Sequence, residues 1–179
     1  PYTTLFRSMQ NTVTQWVGAV STVSDRQALL PVLKAMADRL SCVGFQTAAL
    51  RIKGGSASPT VQTNAVWSGI AQGKPITKAS AVDMPALVGT VTNAKFNMFM
   101  FFIDSGSTVT VAMGTEGATL AAVVPPPIPE GKTVIGYVTI NPTGTGNFVG
   151  GTTNLDAATE VPNAVFVNTL GPFDPTILP

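Results

Sequence analysis

The chain has 179 residues, enough for one domain or for one domain with an appended segment. It contains no histidine and one cysteine, which excludes an imidazole base, a Ser-His-Asp triad, an internal disulfide and a cysteine-based zinc site. Ten basic and nine acidic residues give a formal net charge of +1, so no partnership with nucleic acid is expected. Only 11% of the residues are charged and 45% are hydrophobic, which favours a structural over a catalytic protein.

The first eight residues match a sequence of artificial origin. Residues 1–8 resemble, at every position, the in-frame translation of a widely used short-read sequencing adapter. We therefore expect this octapeptide to be adapter-derived and exclude it from the fold prediction. The natural start of the chain stays open, because Met9 can be an internal residue.

A helical N-terminal segment is predicted for residues 9–44, which are too polar to span a membrane. The best helix candidate is Ser24 to Cys42, since Ser24 and Gln27 have capping-box spacing and Gly44 is a typical stop. Pro31 either kinks this helix or marks the first turn of a shorter one. Apolar residues recur at steps of three and four and predict a docking face: Leu29, Leu33, Met36, Leu40 and Val43. The alternative is that this face packs on the chain's own sheet.

Residues 45–179 read as a β domain. Short runs of β-branched and aromatic residues alternate with Gly/Pro turns, without a βαβ rhythm, and prolines at 125–129 predict an extended bridge. The predicted fold class is mainly β: an antiparallel β-sandwich or barrel with one N-terminal amphipathic helix. The predicted strands are 49–53, 61–70, 87–92, 95–103, 108–113, 132–140 and 163–168.

The segment 96–103 is apolar on both faces apart from Asn97. A central strand covered on both sides by its own chain is the favoured interpretation, because buried strands read as continuous apolar runs. The alternative is a strand that a second subunit covers in part. The subunit interface would then contain Phe99, Phe101 and Ile103.

No group of residues has the spacing of a catalytic, cofactor or metal site, and we predict none. The glycines of segment 144–151 have the wrong spacing for a dinucleotide loop, and no helix pattern follows them. Asp104 and Asp156 each have neighbouring oxygen ligands for calcium, but turn capping is favoured for both. Most of the nine carboxylates fall at expected turns, which disfavours paired-carboxylate hydrolysis, and Cys42 reads as a small buried thiol.

Charge is distributed unevenly along the chain. Residues 9–95 carry eight basic and three acidic side chains, whereas residues 96–179 carry one basic and six acidic side chains. This asymmetry allows copies to meet head to tail. Pairing of the two halves within one domain is the slightly favoured alternative.

From about Ala49 onward the chain resembles small virion structural proteins of tailed bacteriophages, of the head-decoration, head-fibre or tail-associated kind. The resemblance rests on the order of features. Segment 102–106 (FIDSG) precedes a Thr/Val alternation, a Pro-rich bridge leads to segment 128–140 (IPEGKTVIGYVTI), and segment 148–156 (FVGGTTNLD) follows.

This resemblance implies a non-enzymatic protein of the virion that acts through protein contacts. Its implied partners are further copies of itself, as a trimer if it is fibre-like, and other virion proteins such as the major capsid protein. It implies no cofactor and no membrane. The alternative is a secreted or surface-attached bacterial adhesin module, and a polysaccharide-cleaving tail enzyme is a third class.

Because residues 1–8 match an adapter, we predict that they contribute nothing to folding. Deleting them should leave the midpoint of thermal unfolding unchanged within error, as measured by circular dichroism. A loss of several degrees would show that the octapeptide belongs to the folded protein.

Overall fold

The computed structural model describes residues 23–158, 161 and 164–173, with residues 23–26 described by their backbone alone. The predicted features of residues 9–22 lie outside this range. The described residues are mainly β, with one long helix, and every strand pairing among them is antiparallel. The mainly β, antiparallel fold class is therefore confirmed. The sheets of the described residues are not closed into a barrel, and their pairing does not by itself define a sandwich.

Helix α1 spans Val23–Ser41, within one residue of the predicted bounds. Pro31 lies inside it, so the alternative of a shorter helix that begins at Pro31 is wrong. The missing N–H of Pro31 removes one helical hydrogen bond, which the rest of the helix tolerates.

The described residues fall into two units that divide between Ala37 and Asp38, inside α1. The last turn of α1 belongs to the unit that contains the strands, the β unit, and hydrogen bonds tie it there. Asp38 Oδ1 accepts a 2.8 Å hydrogen bond from the Gly131 N–H, and the Ser41 carbonyl accepts one from the Gly73 N–H at 3.0 Å.

The strands of the β unit are short, and Gly, Pro or Asx turns separate most of them. They are β1 Val43–Gly44, β2 Arg51–Ile52, β3 Val61–Gln62, β4 Trp67–Ala71, β5 Lys74–Lys78, β6 Thr90–Val91, β7 Asn97–Ile103, β8 Val109–Met113, β9 Thr133–Ile140, β10 Phe148–Val149 and β11 Val165–Asn168. The predicted 61–70 strand is in fact two strands, β3 and β4. The predicted bridge at 125–129 is a loop without regular structure.

The central sheet has the order β11-β9-β7-β8. Strand β9 carries an irregularity opposite Phe101 and Phe102, where two of its residues face one step of β7. Asn97, at the start of β7, is buried with its amide satisfied: Nδ2 donates to the Gly114 carbonyl and Oδ1 accepts from the Met98 N–H. The bond to Gly114 helps to tie the start of β7 to the end of β8.

Both faces of the central sheet are buried, and each belongs to its own core. The first core contains Phe99, Phe101 and Ile103 of β7, Ile135, Val138 and Ile140 of β9, and Trp67, Leu87 and Phe148 from outside the sheet. The second contains Met98, Met100, Phe102, Val134, Tyr137 and Val123, with Ile128 and Phe173 against it. The covered central strand that was favoured for residues 96–103 is thus what the structure contains.

The predicted subunit interface at Phe99, Phe101 and Ile103 is corrected by this arrangement. All three side chains are 0% exposed and lie in the first core of their own chain. Phe99 packs edge-on against Phe148, with ring centroids 5.9 Å apart. A second subunit therefore has no surface of these residues to contact.

Three smaller sheets have the orders β1-β4-β5, β2-β3 and β10-β6. Buried residues of each, among them Trp67, Val61 and Phe148, supply the first core. Strand β5 was not predicted, because Pro75 reads as a turn residue. It lies in an edge strand, where proline removes no hydrogen bond that the sheet needs.

Two facing glycines make room for the largest buried side chain. Gly44 and Gly69 are direct partners in the β1–β4 pairing, and Trp67 is fully buried beside them. A Cβ at Gly69 would lie 2.6 Å from the Trp67 ring and 2.6 Å from the Val43 carbonyl oxygen. A Cβ at Gly44 would have its nearest neighbours at 3.5 Å, an ordinary contact distance.

We therefore predict that Gly69→Ala lowers the free energy of unfolding by about 1–3 kcal/mol, the usual cost of overpacking. Gly44→Ala adds the same methyl group across the same strand pair and should cost much less. Chemical denaturation of the two variants measures the difference. Equal losses would show that the indole does not constrain Gly69.

Candidate interaction surfaces

Carboxylates that the sequence offered as calcium ligands serve the backbone instead. Asp104 Oδ1 accepts hydrogen bonds from the N–H groups of Gly106 (2.9 Å) and Thr108 (3.0 Å), which closes the β7–β8 turn. Asp156 Oδ2 accepts one from the Ala57 N–H at 2.8 Å. Turn capping, the favoured interpretation of both, is confirmed for Asp104, whereas Asp156 binds a backbone N–H that is distant in sequence.

Two carboxyl groups, one on half-buried Asp104 and one on exposed Asp83, have pKa values below their ordinary range. The Thr108 N–H, with a smaller contribution from the Gly106 N–H, lowers the pKa of Asp104. The hydrogen bond from the Lys53 ammonium, joined by one from Gln62, lowers the pKa of Asp83. Burial raises the pKa of the Tyr137 phenol. Shifts with such local structural causes do not point to an acid–base pair.

Other candidates from the sequence also have structural roles. Cys42 is buried, as predicted, and forms no disulfide. Its Sγ lies 3.8 Å from Asp38 Oδ1 and 3.5 Å from the backbone nitrogen of Gln72. The glycine-rich segment leads into β10 rather than a helix. Within the described residues, no three metal-ligating side chains come together, and no helix is long and apolar enough to cross a membrane.

The predicted docking face of α1 is exposed. The exposed fraction of the side chain is 36% for Leu29, 51% for Leu33, 57% for Met36 and 69% for Leu40. Val43 does not belong with them, since it is half-buried in β1. Leu30 and Val32 are exposed as well, so the apolar surface of the helix is wider than the predicted stripe.

A second surface was not predicted: the free edge of β8. This strand has the sequence Val-Thr-Val-Ala-Met, is half-buried throughout and ends the central sheet. The Thr/Val alternation predicted the strand correctly, but a pattern of side chains does not reveal which strand of a sheet is outermost. Only the strand order shows this.

Comparison with known proteins found no match: no protein-family model, curated protein or solved structure matches the chain.

The Asp104 turn predicts a specific pH dependence. A lowered folded pKa means that the ionised carboxylate contributes stability above the ordinary pKa of about 4, and this contribution is lost as the pH falls through the folded pKa. Asp104→Asn keeps an oxygen acceptor but cannot titrate. We expect its unfolding midpoint to fall less than that of the wild type between pH 7 and pH 2. Parallel curves would contradict this role.

Proposed function

We propose that the chain is a non-enzymatic virion structural protein of a tailed bacteriophage. It decorates the capsid or forms a fibre or tail-associated component through protein contacts, with the virion as its location. The observation that carries the proposal is the exposed apolar surface of α1, since contiguous exposed apolar surface marks protein contacts. The resemblance from Ala49 onward supplies the kind of assembly.

The chemistry of the β unit supports this role. The carboxylates of Asp104 and Asp156 accept hydrogen bonds from backbone N–H groups. The carboxylate of Asp83 pairs with Lys53 and accepts a hydrogen bond from Gln62. A protein that works by assembly needs a stable displayed body and a surface for contact rather than activated side chains. In this proposal the β unit, with its layers arranged as a sandwich, is displayed.

Helix α1 is the attachment element in this proposal, and its partner is another virion protein, such as the major capsid protein. Leu29, Leu33 and Met36 recur at steps of four and three and so lie along one side of the helix. Lys34 is about 130° around the helix from the middle of this side and lies one turn after Leu30, outside the predicted stripe. An amphipathic helix that lays such a side into an apolar groove is a common mode of protein recognition.

We predict that Leu33→Asp with Met36→Asp abolishes attachment. Both side chains are exposed, so the free energy of unfolding should stay within about 0.5 kcal/mol of the wild type. Lys34→Asp changes the net charge by the same amount outside the predicted stripe and should attach normally. Cosedimentation with virions of a phage lacking this gene measures attachment, and denaturation measures stability.

Unimpaired attachment of the double variant would overturn the role of this face. A loss of several kcal/mol would show instead that Leu33 and Met36 are core residues.

The virion role has its own test. Mass spectrometry should find the chain in purified virions of the phage that encodes it, and capsid, portal or tail genes should lie beside its gene. A signal peptide or a cell-wall repeat array in the complete gene would favour the adhesin instead. Release of reducing ends from host glycans would show a tail enzyme.

A further inference from the structure

Strand β8 exposes backbone hydrogen-bonding groups along its outer edge. Pairings at both ends of the β7–β8 ladder show hydrogen bonds: Gly114 N to the Met98 carbonyl, and Asp104 N to the Thr108 carbonyl. Because bonded and non-bonded pairs alternate in an antiparallel ladder, even-numbered residues of β8 bond to β7. Val109, Val111 and Met113 therefore direct their N–H and C=O groups away from β7. Within the described residues these groups have no partner.

This open edge is bounded at both ends. Beyond Met113, Thr115 has the same outward orientation, and it exchanges two backbone hydrogen bonds with Val124. Before Val109, the Ser107 carbonyl accepts a 3.2 Å hydrogen bond from Lys78 Nζ. The unpaired segment is therefore three outward-facing residues long, with Val111 at its centre.

Strand β8 also lacks the charged residues, prolines and bulges that prevent one edge strand from pairing with another. Strand β5, at the edge of its own sheet, carries Lys74, Pro75 and Lys78, and charges and prolines of this kind block strand addition. Strand β8 contains no charge, no proline and no bulge along its pairing with β7.

We propose that β8 pairs with β8 of a second copy of this chain, antiparallel about a two-fold axis at Val111. In this register Val111 lies opposite the partner's Val111, and Val109 lies opposite the partner's Met113. Every outward N–H and C=O group of the three residues then has a partner. The two four-stranded sheets become one eight-stranded sheet.

The charges beside the edge fit this antiparallel arrangement. Two ammonium groups lie near the Val109 end: Lys78 at the Ser107 carbonyl, and Lys132, which donates to Thr110 Oγ1 at 2.9 Å. The antiparallel register places the lysine end of each copy at the opposite end of the paired segment from the partner's lysine end, so these like charges stay apart. A parallel pairing of the two strands would bring them together.

The first test removes one donor from the edge. Val111→Pro deletes the outward N–H, which no described residue accepts, whereas Val111→Ala keeps it and loses only side-chain packing. A strand pairing this short gives a weak interface, so association is measured by analytical ultracentrifugation up to high micromolar concentration. We expect a dimer for the wild type and for Val111→Ala, and at least tenfold weaker association for Val111→Pro. A monomeric or trimeric wild type overturns the proposal.

A second test fixes the register and does not depend on the proline variant folding. Directly opposed residues in a hydrogen-bonded pair have Cα atoms about 5.5 Å apart, within the range of a disulfide. Val111→Cys should therefore form a covalent dimer on mild oxidation. The Val109 positions of the two copies would be roughly 13 Å apart along the strands, so Val109→Cys should not. Equal cross-linking of both variants, or of neither, overturns this register.

The inference rests on the self-association that the resemblance to virion proteins implies, and it fails separately from the virion role. An oligomer that survives Val111→Pro and shows no Val111→Cys cross-link rejects the β8 edge but leaves a self-associating virion protein. Failure to find the chain in virions rejects the virion role but leaves the strand pairing.

Discussion

The rest of the fold depends on strand β7, because this strand is apolar on both faces and must be covered on both. Its residues are all buried, and from Met98 to Ile103 they alternate between two separate cores. A strand with this composition cannot lie on a half-exposed sheet without leaving three large side chains in water, at about 1.5–3 kcal/mol each. The β unit meets this constraint with small sheets on one side and, on the other, segments that include Val123, Ile128 and Phe173.

Small polar groups connect the layers that cover β7. Thr133 Oγ1 donates to the Ile70 carbonyl, which links β9 to β4. Inside the central sheet, Thr169 Oγ1 donates to the Val134 carbonyl at 2.9 Å. The Leu50 N–H donates to Asn168 Oδ1 at 3.0 Å. Such bonds need no formal charge, and so 11% charged residues suffice for a densely bonded β unit. Strand β8 itself contains no charged residue, whereas the edge strand β5 contains two lysines, which disfavour pairing with another strand.

The two proposed contact surfaces use different physics. On α1, the surface is made of apolar side chains, and its partner is recognised by the burial of those side chains. On β8, the surface is made of backbone groups, and the partner is recognised by register and symmetry. Mutations at Leu33 and Met36 should therefore affect attachment without affecting self-association, while a proline at residue 111 should do the reverse. Nothing in either mechanism requires a titrating group or a bound ion.

The sequence by itself determined the helix, the mainly β class and the longest strands. Local causes are visible in the sequence: periodic apolar residues in α1, continuous apolar residues in β7, and Asx chemistry in the Asp104 turn. It also favoured the buried position of β7 over a subunit interface. The strand β5, the glycine pair under Trp67 and the free edge of β8 were decided only by the tertiary structure. Pro75 reads as a turn until its strand is known to be an edge, and Gly69 reads as a breaker until the indole is placed beside it. The sequence does not show that Val111 has unpaired backbone groups. This follows only from the order β11-β9-β7-β8, in which β8 is outermost, because contacts between residues distant in sequence set the strand order.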